Sequence, residues 1–108
     1  MRMRLEYFDQ NEDFRALLPV SGYSEEIPPA GDSTLEWLLL RLEHPLAYDG
    51  AEYQRLLIAS RWEGYAVGGK EPTSVFVRLV PPEAKVESGF ASESFPHVVW
   101  GMAYAIDA

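Results

Sequence analysis

The residues closest to a known chemical motif run from Gly64 to Lys70, with the sequence GYAVGGK. This spacing matches the G-x-x-x-x-G-K pattern of loops that bind phosphates. Such a loop needs Ser or Thr at the next position to bind magnesium, and then a helix whose N-terminus faces the phosphates. Here Glu71 and Pro72 follow, and a strand pattern comes after them. We therefore interpret the segment as a glycine-rich turn between strands.

The histidines and serines lack the neighbours that metal binding or nucleophilic catalysis requires. His44 and His97 lie far apart in the chain, and neither belongs to an H-x-H or H-E-x-x-H pattern. Ser60 is not flanked by the glycines of a G-x-S-x-G nucleophile elbow. The sequence predicts no catalytic residue, no metal site and no cofactor, and it disfavours an enzyme without excluding one.

A pair of carboxylates for glycoside-type chemistry remains an alternative, because the separation that such a pair needs is spatial. The central candidates are Glu43, Asp49, Glu52 and Glu63. All four flank a predicted hairpin, where charged side chains protect strand ends from further pairing. We favour this structural interpretation.

Aromatic, arginine and acidic residues give a stronger indication of binding, since Tyr, Trp and Arg are enriched where protein partners meet. The predicted partner-binding residues are Glu25, Glu26, Asp32, Trp37, Tyr48, Arg61 and Trp62. Ordinary core packing of the aromatic residues is the alternative. A second candidate site is a ligand pocket formed where the sheet curls around Trp62, His97 and Trp100.

Composition limits the classes of partner. The chain of 108 residues predicts a single domain, and its net charge is −8. Residues 9–36 hold seven acidic residues against Arg15 alone. This acidity disfavours direct nucleic-acid binding, which depends on Lys and Arg, and favours a protein partner with a basic surface. The lack of cysteine, of a signal-peptide pattern and of a long apolar segment leads us to expect a cytoplasmic protein without membrane contact.

The element around which these residues must be arranged is the segment from Tyr53 to Trp62. Its middle, residues 56–58, is apolar at successive positions, which predicts a central strand covered on both faces. Alternating patterns predict further strands over residues 1–8, 73–80 and 97–106, with the large residues of the last strand on one core-facing side. A short helix is predicted over residues 12–18, and a long loop from Val20 to Ser33.

Residues 34–43 are ambiguous. Ser33 and Glu36 have the spacing of a helix capping box. Alternating leucines and the downstream Asp49-Gly50 favour a strand that enters a two-residue hairpin. We favour the strand. We also predict a one-residue bulge near Pro45, which pairs Leu42 with Leu56, Leu40 with Ile58, Glu43 with Arg55, and Trp37 with Arg61.

Together these patterns predict an α+β fold: a mainly antiparallel, twisted sheet of about five strands, with one short N-terminal helix. Curling of the sheet into a partly open barrel is an alternative. The expected function is a small binding protein that occupies a protein partner, of the inhibitor, immunity or anti-defence type, with mimicry of DNA as one branch. The alternatives are a small-molecule pocket or modest enzyme, and a structural subunit of a larger assembly. The oligomeric state stays open.

Overall fold

The computed structural model describes residues 1–8, 12–27, 37–61, 67, 69–86, 95 and 98–106. In that part of the chain the elements are β1 (Arg2–Phe8), α1 (Glu12–Arg15), β2 (Val20–Ile27), β3 (Trp37–Tyr48), β4 (Ala51–Ser60), β5 (Thr73–Val80) and β6 (Val98–Ala105). The six strands form a closed barrel in chain order, and each strand is antiparallel to its neighbours. Pairing of β1 with β6 closes the barrel.

The predicted antiparallel sheet is confirmed, with more strands and fuller closure than expected. There are six strands instead of about five, and the barrel is closed instead of partly open. The helix is a single turn of four residues, shorter than predicted. The predicted loop that begins at Val20 is wrong up to Ile27, because those residues form β2. The ambiguous segment is a strand from Trp37 onward.

The inner core fills the barrel. It is built from inward-facing side chains that alternate along the strands, as barrel geometry requires. Its fully buried members are Met3, Leu5, Phe14, Leu40, Leu56, Ile58, Val75, Val77, Leu79 and Ala103, and Leu46 is 4% exposed. Phe14 of α1 belongs to this set and packs edge-on against Tyr48, with ring centroids 5.1 Å apart. The helix therefore lies beside the turn end of the β3–β4 hairpin.

A second, outer core lies on the outside of the barrel wall. Its barrel residues are Ile27, Trp37, Leu39, Leu57, Ala59 and Val80, and Val86 and Phe95 pack over them. We call this surface the covered face, and residues 81–86 together with Phe95 the strap. The predicted central strand is confirmed by this arrangement, since Leu56 and Ile58 lie in the inner core while Leu57 and Ala59 lie in the outer core.

Two arginines fasten the strap to the covered face through backbone carbonyls. Arg55 Nη2 donates to the carbonyl oxygens of Pro81, Pro82 and Ala84 at 3.2, 3.3 and 2.6 Å. Arg78 Nη1 donates to the carbonyl oxygen of Phe95 at 2.8 Å. Phe95 is 9% exposed and anchors this end of the strap.

The β3–β4 hairpin has the predicted turn and a larger bulge than predicted. Asp49 and Gly50 both have positive φ, 48° and 79°, as the favoured two-residue hairpin turn requires. Near the turn, Tyr48 pairs with Ala51 and Leu46 with Tyr53. The next pair is Arg41 with Arg55, so four residues of β3 oppose one of β4. The bulge is where Pro45 predicted it, but it inserts three extra residues instead of one.

The larger bulge changes the cross-strand partner of each predicted residue but leaves each side chain on its expected face of the sheet. Leu40 pairs with Leu56, Leu38 with Ile58, and Trp37 with Ala59. The predicted pairs of Leu42 with Leu56, Leu40 with Ile58, Glu43 with Arg55, and Trp37 with Arg61 are therefore wrong. Insertions of one and of three residues shift the register by the same parity, so inward and outward residues stay sorted as expected.

The last strand contributes less bulk to the barrel interior than predicted. In β6, Gly101 is buried and pairs with the inner-core residue Val75. Ala103 is 1% exposed and also belongs to the inner core. Met102 and Tyr104 are half-buried on the outward side. Small residues face inward here because the large side chains of β1 and β5 already occupy the barrel interior.

Candidate functional site

Arginine and tyrosine side chains line the outside of the barrel where the strap does not cover it. In the sheet register Arg2 pairs with Tyr23, and Tyr23 pairs with Arg41. Tyr23 and Arg41 are exposed, and Arg2 and its neighbour Arg4 are half-buried. We call this surface the open face and define it by Arg2, Arg4, Tyr23, Glu25 and Arg41. It spans β1, β2 and the middle of β3.

Each of two open-face arginines is paired with a carboxylate. Arg41 Nη2 and Nε both lie 2.9 Å from Glu25 Oε1. Arg2 bonds Glu43 through two nitrogens, Nε to Oε1 and Nη2 to Oε2, the second at 3.3 Å. Such exposed pairs contribute little to stability, but they fix the direction of long side chains. Tyr23 therefore stands between two oriented ion pairs.

Tyr23 is the most exposed aromatic residue in the described part of the chain, at 57%. Aromatic residues beside arginines on an uncovered sheet have the composition of binding hot spots. No sequence pattern pointed to Tyr23, because it lay in a predicted loop. Its strand position becomes visible only through the pairing of β2 with β1 and β3.

Glu43 is held in its ionised form. The hydrogen bond from Arg2 lowers the pKa of the Glu43 carboxyl below its ordinary value, and electrostatic interaction with the neighbouring Arg2, His44 and Arg4 side chains acts in the same direction. Partial desolvation opposes this shift without reversing it. The carboxylate is consequently a stable anion at neutral pH and an unsuitable general acid.

A cleft opens between β2 and β3 beside this carboxylate. The two strands pair from Ile27 with Trp37 to Gly22 with Leu42, and the pairing ends there. Beyond Leu42, β3 enters its bulge and continues toward the hairpin turn. The two strands separate, and the space between them has a volume of about 290 Å³. It is lined by Leu17, Pro19, Val20, Ser21, Glu43, His44, Pro45, Leu46 and Ala47.

Gly22 marks the point where the strands separate. A Cβ at this position would lie 2.3 Å from the carbonyl oxygen of Arg41 and 3.0 Å from the Cα of Leu42. Contacts this short do not occur between real atoms, so the backbones of β2 and β3 approach closely only because residue 22 lacks a side chain. The bulge then carries β3 away from this tight contact.

The predicted partner-binding residues do not converge on one surface. Glu25 is exposed on β2, on the same face as Tyr23, whereas Glu26 is exposed at the next position and belongs to the opposite face of the strand. Trp37 is 4% exposed in the outer core, which leaves it little surface for a partner. Tyr48 is half-buried against Phe14 at the hairpin turn, whereas Arg61 is exposed just beyond the other end of β4. About ten strand residues, roughly 33 Å, separate these last two positions.

The other candidates fall outside the described residues or apart from one another. Asp32, Trp62, Glu63 and His97 are not described, and of Trp100 only the backbone is described. The predicted pocket of Trp62, His97 and Trp100 therefore stays a prediction. His44 lines the cleft, and Ser60 is buried at the end of β4. Among the described residues, no group of three or more His, Asp or Glu is placed to hold a metal ion.

Neither the helices nor the comparisons with known proteins indicate a function. Within the described ranges, no helix is long and apolar enough to cross a membrane. Comparisons with protein-family models, with curated proteins and with solved structures give no match to this chain.

Proposed function

We propose that this chain is a small, acidic, non-enzymatic binding protein that acts by occupying a protein partner with a basic surface. An inhibitor, immunity protein or anti-defence factor acts in this way. The observation that carries the proposal is the open face, where the exposed ring of Tyr23 lies between the Arg2–Glu43 and Arg41–Glu25 ion pairs. Rigid sheet residues with fixed neighbours suit recognition, because little side-chain entropy is lost on binding.

Charge supports the choice of a basic partner. The net charge of −8 favours encounter with a basic surface through long-range attraction. The acidic residues nearest the turn end of the barrel are exposed on α1 and on the hairpin: Glu12, Asp13, Asp49 and Glu52. On the open face, by contrast, three arginines outnumber Glu25 and the paired Glu43, so this face does not present a row of negative charge. We therefore favour a general protein partner over mimicry of DNA phosphates.

Affinity capture from the native host, followed by mass spectrometry, tests this proposal. The variant Tyr23→Ala removes the exposed ring, and Tyr23→Phe keeps it. Glu25→Lys reverses an exposed charge on the open face, and Glu71→Lys makes the same reversal at an exposed position just before β5. We expect the wild type, Tyr23→Phe and Glu71→Lys to capture the same basic protein.

The other two variants should capture it less, by about tenfold or more for loss of a hot-spot aromatic residue. The charge reversal should matter most at low salt, because exposed charges are screened as ionic strength rises. Equal capture by all five proteins would remove the open face from the mechanism. A wild-type protein that captures nothing from its host would contradict the proposed function itself.

A further inference from the structure

The cleft between β2 and β3 presents two strand edges to each other. On one side, Val20 and Ser21 pair with Leu5 and Arg4 of β1, which leaves their opposite edge toward the cleft. On the other side, Leu46 and Ala47 pair with Tyr53 and Glu52 of β4. Both segments therefore have one edge inside the barrel sheet and one edge facing the space between them.

Strand edges are binding surfaces for extended polypeptide. Successive residues of an antiparallel strand direct their N–H and C=O groups to opposite neighbours, so each edge offers one donor and acceptor about every two residues. An extended peptide adds to such an edge through main-chain hydrogen bonds, and its alternate side chains enter neighbouring pockets. Pro19 and Pro45 lack an N–H and so restrict the pairing to the short stretch beside them.

The lining of the cleft specifies the side chains that it can accept. Leu17 and Val20 are half-buried and give it an apolar side suited to an aliphatic residue. Glu43 contributes an ionised carboxylate whose two oxygens are both bonded to Arg2, so a cation at the cleft would meet the remaining lone pairs of those oxygens. The volume of about 290 Å³ is at the small end for ligand pockets, which suits a few residues of a peptide.

Arg2 and Arg4 place positive charge beside Glu43, whereas the charge at the turn end of the cleft favours a basic occupant. Leu17 follows α1 by two residues, and Ala47 directly precedes Tyr48, whose ring contacts Phe14 of that helix. The cleft therefore adjoins both acidic segments at the turn end of the barrel. Those segments, residues 12–15 and 48–53, carry four exposed carboxylates against the single cation Arg15. A peptide that leaves the cleft in this direction meets a negative surface.

We propose that the cleft is a docking site for an extended basic peptide segment of the partner, which adds as a strand between β2 and β3. This proposal rests on the proposed function and supplies its mode of attachment. The aliphatic side chain of the segment packs on Leu17 and Val20, and a neighbouring lysine or arginine faces Glu43. The open face then contacts the folded body of the same partner.

The test uses capped five-residue peptides and amide chemical shifts of the full chain. The probe alternates lysine with valine. One control peptide has the same sequence with alternate amides N-methylated, which removes donors without changing charge. The other control alternates glutamate with valine. We expect the first peptide to shift the amide signals of Val20, Ser21, Glu43, His44, Leu46 and Ala47.

N-methylation should weaken this binding by about tenfold or more, because two lost hydrogen bonds of about 0.7 kcal/mol each correspond to that factor. A matched pair of variants tests the location. Ala47→Arg fills the mouth of the cleft, whereas Ala16→Arg adds the same charge at an exposed residue outside its lining. We expect Ala47→Arg to abolish the shifts and Ala16→Arg to reduce them only modestly.

Three outcomes would overturn the docking site. These are equal binding of the N-methylated peptide, preference for the glutamate peptide, and shifts from the lysine peptide that lie elsewhere or are absent. The proposed function is judged separately by partner capture. If Tyr23→Ala loses the partner while no peptide enters the cleft and Ala47→Arg captures normally, the cleft is excluded and the binding function is retained. If the lysine peptide binds in the cleft but the wild type captures no partner, the cleft is retained as a peptide-binding site and the proposed function is excluded.

Discussion

The covered face and the open face are two parts of one barrel wall, and they use arginine in opposite ways. On the covered face, Arg55 and Arg78 donate to backbone carbonyls of the strap. On the open face, Arg2 and Arg41 pair with carboxylates at the surface. The first arrangement fastens chain over an apolar surface, and the second keeps a surface polar and accessible.

The boundary between the two faces runs across neighbouring strands. Arg41 and Arg55 are directly opposite in the register of β3 and β4, a like-charge pairing that is normally unfavourable. The two guanidinium groups find partners in different directions, Arg41 with Glu25 on the open face and Arg55 with three carbonyls of the strap. The buried packing of the strap lies on one side of this line, and the proposed binding surface lies on the other.

The largest effect that tests this comparison is expected from the outer core. Leu57→Ala removes a fully buried side chain from beneath the strap and should lower the free energy of unfolding by about 2–5 kcal/mol. Leu56→Ala, in the inner core, should cost a similar amount, and Tyr23→Ala on the open face about 0.5 kcal/mol or less. Urea unfolding measures all three. If Leu57→Ala lowered the free energy of unfolding as little as Tyr23→Ala does, burial beneath the strap would not stabilise the fold.

The close contact at Gly22 should give an effect similar in size to that of the strap arginine Arg55. Gly22→Ala forces a Cβ against the carbonyl of Arg41, and we expect a loss of about 1–3 kcal/mol with partial separation of β2 from β3. Gly69→Ala is the matched control, because a Cβ there meets no atom within 4 Å. Thermal unfolding compares the two variants. Equal stability would show that β2 can move away from β3 without cost.

The opposed arginines provide a direct comparison of the two faces. Arg55→Met removes three hydrogen bonds to the strap and should lower the free energy of unfolding by about 1.5–3 kcal/mol. The loss is this large because the donor is charged and the bonds to Pro81 and Ala84 are partly buried. Arg41→Met removes an exposed pair and should cost about 0–1 kcal/mol. Hydrogen exchange at Ala84 and Val86 should accelerate only in Arg55→Met. Acceleration in both variants would contradict the division into two faces.

The smallest effect concerns pH. The lowered pKa of Glu43 means that its ionised form stabilises the folded state above the ordinary pKa of a glutamate. This contribution is lost as the pH falls through the lowered value. In Glu43→Gln, the free energy of unfolding should therefore fall slightly less steeply as the pH decreases into the acid range. Its pH dependence between about pH 7 and pH 8 should be the same as in the wild type. Matching acid limbs for the wild type and Glu43→Gln would show that the pair with Arg2 does not form in solution.

The parts of the fold that could be predicted were those in which residue pattern and packing agree. Residues 56–58 are apolar at every position and lie in both cores, and Asp49-Gly50 forms the expected turn. The strand β2 was missed because Gly22 and Ser24 occupy its inward positions and acids follow them. Those small residues form a strand only because Leu40 and Leu42 of β3 supply the apolar volume opposite them.

The candidate site was harder to predict, since it depends on where strands separate. The cleft joins residues 17–21 with residues 43–47, and no local pattern connects two segments so far apart in sequence. Pro45 did indicate the position of the bulge, but the number of inserted residues depends on the pairing of β2 with β3. Trp37 was chosen for its residue type alone, and the strap, which buries it, could not be foreseen from its neighbours.

Closure of the barrel has a consequence for how the chain folds. Met3 pairs with Ala105, and the backbone N–H of Ile106 donates to the carbonyl oxygen of Arg2. These contacts join residues from opposite ends of the described chain, so they carry the largest loop-closure entropy of any strand pair in the barrel. The five local pairings between consecutive strands can form first. We therefore expect β1 and β6 to meet late in folding, and a ribosome-bound chain that lacks β6 to keep one edge of β1 unpaired.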